Sequence, residues 1–165
     1  MRAGSIPRMN SLRSGLFAVL LAALFAVASA GTKKEGPFDP KRDAAKDIEL
    51  GVKLAQKQNK NVILDVGGNW CPWCLKLDEF FKSNKEAASI LKQSYVVVKV
   101  NMSPENENKE VLSRYPKIEG YPHLFVLDKE GKLIHSQDTG LLETGDHHDP
   151  AKVIPFLKKW APKAS

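Results

Sequence analysis

Cysteine is scarce in this chain of 165 residues. There are two, both inside Trp70-Cys71-Pro72-Trp73-Cys74, with no third thiol to pair with. That excludes a small secreted scaffold stapled by several disulfides, so the chain must build a hydrophobic core of its own. Long hydrophobic runs are scarce too. The longest, Leu16 to Val27, is shorter than the ~20 residues that span a bilayer. Lysines are mixed with acids, and no basic stripe with interleaved aromatics appears, which excludes nucleic acid as a partner.

Acid is missing from residues 1–30, while Arg2, Arg8 and Arg13 precede the apolar run and Ala28-Ser29-Ala30 follows it. This is the three-part pattern of a secretory signal peptide, cleaved after Ala30. The alternative, a retained membrane anchor, is disfavoured by the short run and the small residues behind it. No cysteine lies at the cleavage site, which speaks against a lipoprotein. Translation can start at Met1 or at Met9, since the segment after Met9 still holds a basic residue and the whole run. Removing residues 1–30 takes away three arginines and no acid, so the formal charge falls from +6 to +3. The remaining 135 residues make one domain with no membrane span. The expected setting is oxidising, periplasmic or secreted, where disulfides form and persist.

Residues 31–42, with Gly31, Gly36, Pro37 and Pro40, read as a flexible lead-in, and 43–165 as the domain. Ala44, Ile48, Val52 and Ala55, with Leu50 and Leu54 alongside, predict a helix from Asp43 to Gln58. Val62 to Val66 predicts a buried strand, and Gly67-Gly68-Asn69 a loop. A helical stretch then carries the cysteines, and a second helical piece follows from Asn84 to Lys92. Tyr95 to Asn101 is the strongest strand signal, rich in β-branched residues. Pro104 to Tyr115 is expected to be helical. Leu124 to Leu127 and Lys132 to Ser136 form strands joined by a turn at Asp128-Lys129-Glu130-Gly131. Gly140 to Asp149 reads as a polar loop, and Ala151 to Trp160 as a closing helix that Pro155 should kink or shift. No repeat or low-complexity tract occurs. Strands linked by helices argue a parallel pair, and the later hairpin adds antiparallel strands. The expected fold class is therefore α/β, a mixed central sheet with helices on both faces.

A loop that delivers Cys71 to a helix start has a chemical consequence. The helix N-terminus presents free N–H groups and a partial positive charge, both of which favour thiolate over thiol. Cys71 is then the nucleophile and Cys74, one turn on, the resolving residue. Pro72 suits the first turn, where its missing N–H costs nothing. Trp70 and Trp73 would rim an exposed sulfur. A metal half-site is the rival reading, but zinc needs four ligands, and His123, His135, His147 and His148 show no spacing that points back to the cysteines. His147-His148-Asp149 reads as a solvated loop with Asp149 capping the last helix. His123 is either a modulator of the thiolate or an ordinary strand residue.

With Asp65 six residues before Cys71, Val98-Lys99-Val100-Asn101 as the next strand and Gly120-Tyr121-Pro122-His123 before a third, the chain resembles the thioredoxin superfamily over residues 43–160. The resemblance implies a thioredoxin fold. It implies that Asp65 is a buried acid assisting proton transfer at Cys74, with Lys99 nearby. It also implies that Pro122 is a cis-proline which, with Tyr121, binds the substrate chain. From the residues alone, burial of Asp65 follows from the apolar strand around it, while Lys99 is either its partner or a snorkelling strand lysine. Pro72-Trp73 departs from the Gly-Pro of general thioredoxins, and an N-terminal helix stands where these often have an extra strand. Both features look more like secreted thioredoxin-like proteins related to the C-terminal domain of the periplasmic disulfide-interchange reductase.

The resemblance implies a thiol:disulfide oxidoreductase acting on exported proteins in the reducing or isomerising direction. It would be recharged by a membrane electron donor and need no cofactor or metal beyond the Cys71–Cys74 disulfide. The alternatives are a net oxidant, which lacks support without an inserted helical domain, and a copper-handling or chaperone-like module. Copper(I) suits two thiolates, but no Met-rich or His-rich surface accompanies them.

Overall fold

The computed structural model describes Met1 and residues 36–163, so the signal-peptide reading of residues 1–30 lies outside the described residues. Helix α1 (Ala44–Gln58) starts where the Asp43 side chain accepts the Lys46 N–H and stops at Asn59 in the left-handed region, φ 51°. Asparagine tolerates that conformation better than most residues. Strand β1 (Asn61–Gly67) is buried along its whole length. Helix α2 (Pro72–Ser83) runs into Asn84, whose side chain accepts the Ala87 N–H and restarts the chain as α3 (Lys85–Ser94). Strand β2 (Tyr95–Asn101) follows at once. After the single turn of α4 (Lys109–Leu112) come β3 (His123–Leu127) and β4 (Leu133–Asp138). A 3-10 turn (Thr139–Leu142), the short strands β5 (Glu143–Thr144) and β6 (His147–His148), and helix α5 (Pro150–Lys159) complete the domain.

Among the described residues the main sheet has the order β2-β1-β3-β4. β1 and β2 are parallel, with Asp65 opposite Lys99. β3 and β4 are antiparallel to their neighbours. Side chains alternate between the two faces of a strand, and two cores result. Val62, Leu64 and Val66 join Val98, Val100, Phe125 and Leu127 under α1. Ile63, Leu124 and Val126 join Leu77, Leu91, Val153 and Leu157 of α2, α3 and α5. Asp65 shares that second face, which is how an acid comes to lie beneath the helix that carries the cysteines. The expected mixed sheet with helices on both faces is the fold observed.

Four local expectations differ. Pro104 to Tyr115 is helical only at Lys109–Leu112. Asn101 Nδ2 donates to the Asn106 carbonyl at 2.9 Å, Asn108 Nδ2 donates to the Asn101 carbonyl at 2.7 Å, and Asn108 is left-handed at φ 48°. Side-chain amides thus satisfy backbone groups that a helix would need. Gly140 to Asp149 is not a plain loop, because Leu142 and His148 are buried and Glu143–Thr144 pairs with His147–His148. Helix α5 continues through Pro155, its start set instead by Asp149, whose side chain accepts the Ala151 N–H, and by Pro150 at the first position. On α1, Leu50 and Leu54 face solvent. No helix among the described residues is long and apolar enough to cross a membrane.

Candidate active site

Cys71 is the N-cap of α2, and its sulfur accepts the Cys74 N–H at 3.1 Å. Pro72 occupies the first helical position. The two cysteines form a disulfide with Cα atoms 5.2 Å apart. The pair is more enclosed than a rim of tryptophans around an exposed sulfur implies: Cys71 is 4 % exposed and Cys74 0 %. Gly67 explains how Cys74 fits so deep, since a Cβ there would lie 2.6 Å from the Cys74 sulfur. Gly67 ends β1 on the face it shares with Asp65, so the sulfur sits over the strand one pleat from that carboxyl. Gly68 leaves room for Trp70 to fold back, and the Trp70 Nε1–H donates to the Met102 carbonyl at 2.6 Å.

Asp65 is fully buried. Lys99 Nζ lies 2.6 Å from Asp65 Oδ2 and 2.9 Å from Asp78 Oδ1, and Lys82 Nζ is 2.5 Å from Asp78 Oδ2. Lys99 is therefore a partner of Asp65 rather than a snorkelling lysine. Burial raises the Asp65 pKa, and the Lys99 ammonium offsets that only in part. Burial works against the charged form of Lys99, but Asp65 and Asp78 outweigh it and raise its pKa. For Asp78, burial acts upward, while hydrogen bonds from Lys82 and Lys99 pull its pKa below the usual carboxylate range. Asp65 Oδ1 is buried with no hydrogen-bond partner among the described residues. A carboxyl with a raised pKa and a bare oxygen holds a proton more readily than an exposed one and can exchange it with a neighbouring thiol.

The Tyr121–Pro122 peptide bond is cis. The Tyr121 carbonyl oxygen lies 3.6 Å from the Cys71 sulfur, and Thr139 Oγ1 donates to the Pro122 carbonyl at 2.6 Å. Trp70 packs edge-on against Tyr121 with centroids 5.8 Å apart, and Trp70 is half exposed. A groove of about 470 Å³ borders it, lined by Pro40, Asn69, Ser103, Pro104 and Glu105. The fold thus brings Cys71, Cys74, Asp65, Lys99, Trp70, Trp73, Tyr121 and Pro122 to one end of the sheet. His123 goes elsewhere: its ring bonds Ser136 Oγ at 2.8 Å and tilts against Phe125.

Three residues at this site carry no signal in the motif. Phe38 falls inside the expected flexible lead-in, yet it is fully buried in one cluster with both cysteines, against which Trp73 and Tyr121 pack. The Asn69 amide clamps its backbone, accepting the Phe38 N–H at 3.1 Å and donating to its carbonyl at 2.7 Å. The Lys99 ammonium stands 5.0 Å over the Phe38 ring. Residues 36–42 therefore belong to the domain, because one large apolar side chain among turn residues finds a pocket that only the folded chain forms. Asp78 could have been found from its place one helical turn after Cys74. His148 is 2 % exposed and packs edge-to-face on Trp73, centroids 5.4 Å apart. It is not part of a solvated loop, although Asp149 does cap α5 as expected, accepting the Ala151 N–H at 2.8 Å.

The family model described as thioredoxin-like matches residues 43–129. The thiol:disulfide interchange protein DsbD of Actinobacillus pleuropneumoniae is 30% identical over 96 residues, covering 58% of this chain and 16% of that protein. The disulfide bond reductase DsbH of Chlamydia pneumoniae is 31% identical over 76 residues, covering 41% of this chain and 45% of that protein. The chain thus spans less than half the length of either. Among solved structures, the disulphide isomerase from Xylella fastidiosa Temecula1 superposes with a TM-score of 0.65 at 23% identity, covering 76% of this chain and 97% of that one. This likeness concerns the fold.

Proposed function

The chain belongs to the thioredoxin-like family, and on that premise we propose that it is a thiol:disulfide oxidoreductase of exported proteins working in the reducing or isomerising direction. The observation that carries the reading is the Cys71 sulfur at the N-cap of α2, held against the Cys74 N–H. In the dithiol form that position stabilises a thiolate on Cys71. The thiolate attacks one sulfur of a substrate disulfide, a mixed disulfide forms, and the other substrate sulfur leaves as a thiol. Asp65 accepts the Cys74 proton, and the Cys74 thiolate attacks the Cys71 sulfur. The second substrate thiol departs, and the disulfide seen here is regenerated. Two electrons have then moved to the substrate, and a dithiol donor at the membrane must return them. Trp70, Trp73, Tyr121 and the Pro122 loop form the wall on which the substrate chain lies. Pro72 and Trp73, as the intervening dipeptide, tune the thiolate. The names of the DsbD and DsbH relatives, an interchange protein and a reductase, support this direction.

Equilibration of the purified protein with glutathione buffers tests the direction. A potential near thioredoxin's, about −270 mV, is expected, and one near −120 mV would make the protein an oxidant instead. Cys71→Ser should abolish reduction of insulin disulfides. Full activity in that variant would end the reading.

A further inference from the structure

His148 lies outside the Cys-x-x-Cys segment, more than seventy residues beyond it, yet its ring is packed against that segment's second tryptophan. Its Nε2 is 3.3 Å from the Trp73 carbonyl oxygen. A carbonyl can only accept, so the ring carries its proton on Nε2. The Trp73 carbonyl and the Cys74 N–H are the two ends of one planar peptide unit. That N–H is the one directed at the Cys71 sulfur, 3.1 Å away. We propose that His148 is a positioning residue for Cys71, acting through this single peptide. A donor on the carbonyl polarises the amide and strengthens its N–H toward the sulfur. The gain is largest when Cys71 is a thiolate, because that hydrogen bond is then charge-assisted.

The surroundings hold the ring to this task. His148 Nδ1 is buried with no partner among the described residues. A protonated ring would bury a second N–H with no acceptor, so the neutral donor form is retained; burial lowers the His148 pKa in the same sense. Strand β6 is fixed from behind, where the Asp149 N–H donates to the Leu142 carbonyl at 2.8 Å and Thr144 Oγ1 to Asp149 Oδ2 at 2.8 Å. From the other side Lys76 of α2 stands 4.5 Å over the Trp73 ring and donates to the Asp146 carbonyl. The hairpin and α2 are thus fastened on both sides of Trp73. Asp65, Lys76 and His147 are the charged or titratable groups that His148 senses.

The inference rests on the dithiol chemistry proposed above, and its test separates the two. In reduced protein, Cys71 is titrated by thiolate absorbance and by the rate of iodoacetamide alkylation. His148→Phe, which keeps the packing and removes the donor, should raise the Cys71 pKa by roughly half a unit, about a threefold slower alkylation below that pKa. His148→Gln, whose amide nitrogen reproduces the Nε2 donor, should restore the wild-type value. An unchanged pKa in folded His148→Phe, or an equal shift in His148→Gln, overturns the assignment. If His148→Phe does not fold, nitrogen NMR of wild-type His148 decides: Nε2–H is expected, and an Nδ1–H tautomer ends the proposal. Loss of insulin reduction on Cys71→Ser bears on the enzyme reading alone and leaves these readouts intact.

Discussion

Asp65 combines the two demands on a residue of this site, a charge to be used and a place that resists charge. Its strand neighbours are apolar, and the carboxyl is fully buried. Lys99 at 2.6 Å keeps it from being an isolated charge but shares its ammonium with Asp78. Burial wins, and the folded-state pKa is raised. An acid with a raised folded pKa stabilises the fold below its unfolded value and loses that contribution as pH climbs through the folded value. At neutral pH, where the unfolded chain ionises this group freely, its burial is therefore a net cost to the fold. Asp65→Asn should melt about 4 °C higher than wild type at pH 7, roughly 1 kcal/mol for a domain of this size. The gap should close below about pH 4, where the group is protonated in both states. A lower melting point at pH 7 would mean that the pull of Lys99 outweighs burial. The same substitution removes the proton acceptor for Cys74, so stability should rise while resolution of the mixed disulfide slows.

Among the elements, the segment before α1 matters most for the site. Asn69 holds both backbone groups of Phe38, and the ring closes the space beside the disulfide and under the Lys99 ammonium. Phe38→Ala should cost about 3–5 kcal/mol, the usual range for truncating a buried aromatic, measured by urea unfolding. It should also speed reduction of the Cys71–Cys74 disulfide by a small dithiol, because water and reagent gain a path to the sulfurs. A loss below about 1 kcal/mol would show that the pocket collapses without the ring. The second element of this kind is the β5–β6 hairpin. It brings His148 and the turn around Asp146 against α2, where a bare loop would leave the Trp73 side of the helix open to solvent.

For the molecule as a whole, redox state and folding are linked. A protein that passes electrons on must hold its own disulfide more tightly than its dithiol, and an oxidant does the reverse. Cys74 is fully buried above a buried acid in the disulfide form, and such a place is unfavourable for the second thiolate that reduction would create. The oxidised protein should therefore melt above the reduced protein at neutral pH; the opposite order would mark an oxidant. Much of this molecule is written locally. Runs such as Val62 to Val66 and Tyr95 to Asn101 declare buried strands, because a sheet covered on both faces needs apolar residues at every step. Cys71, Pro72 and Cys74 declare a helix start and its chemistry, because three adjacent residues carry all of it. Phe38 and His148 declare nothing, since each owes its role to a partner 31 or 75 residues away. The dithiol, the succession of the four main strands with the helices between them, and the acid on β1 were all legible in the residue order. What surrounds the sulfurs came from packing alone: the ring that seals them, the lysine that answers Asp65, and the histidine that reaches the peptide between Trp73 and Cys74. Hydrogen bonds and burial between distant segments come into being with the packed sheet, and no local pattern of residues encodes them.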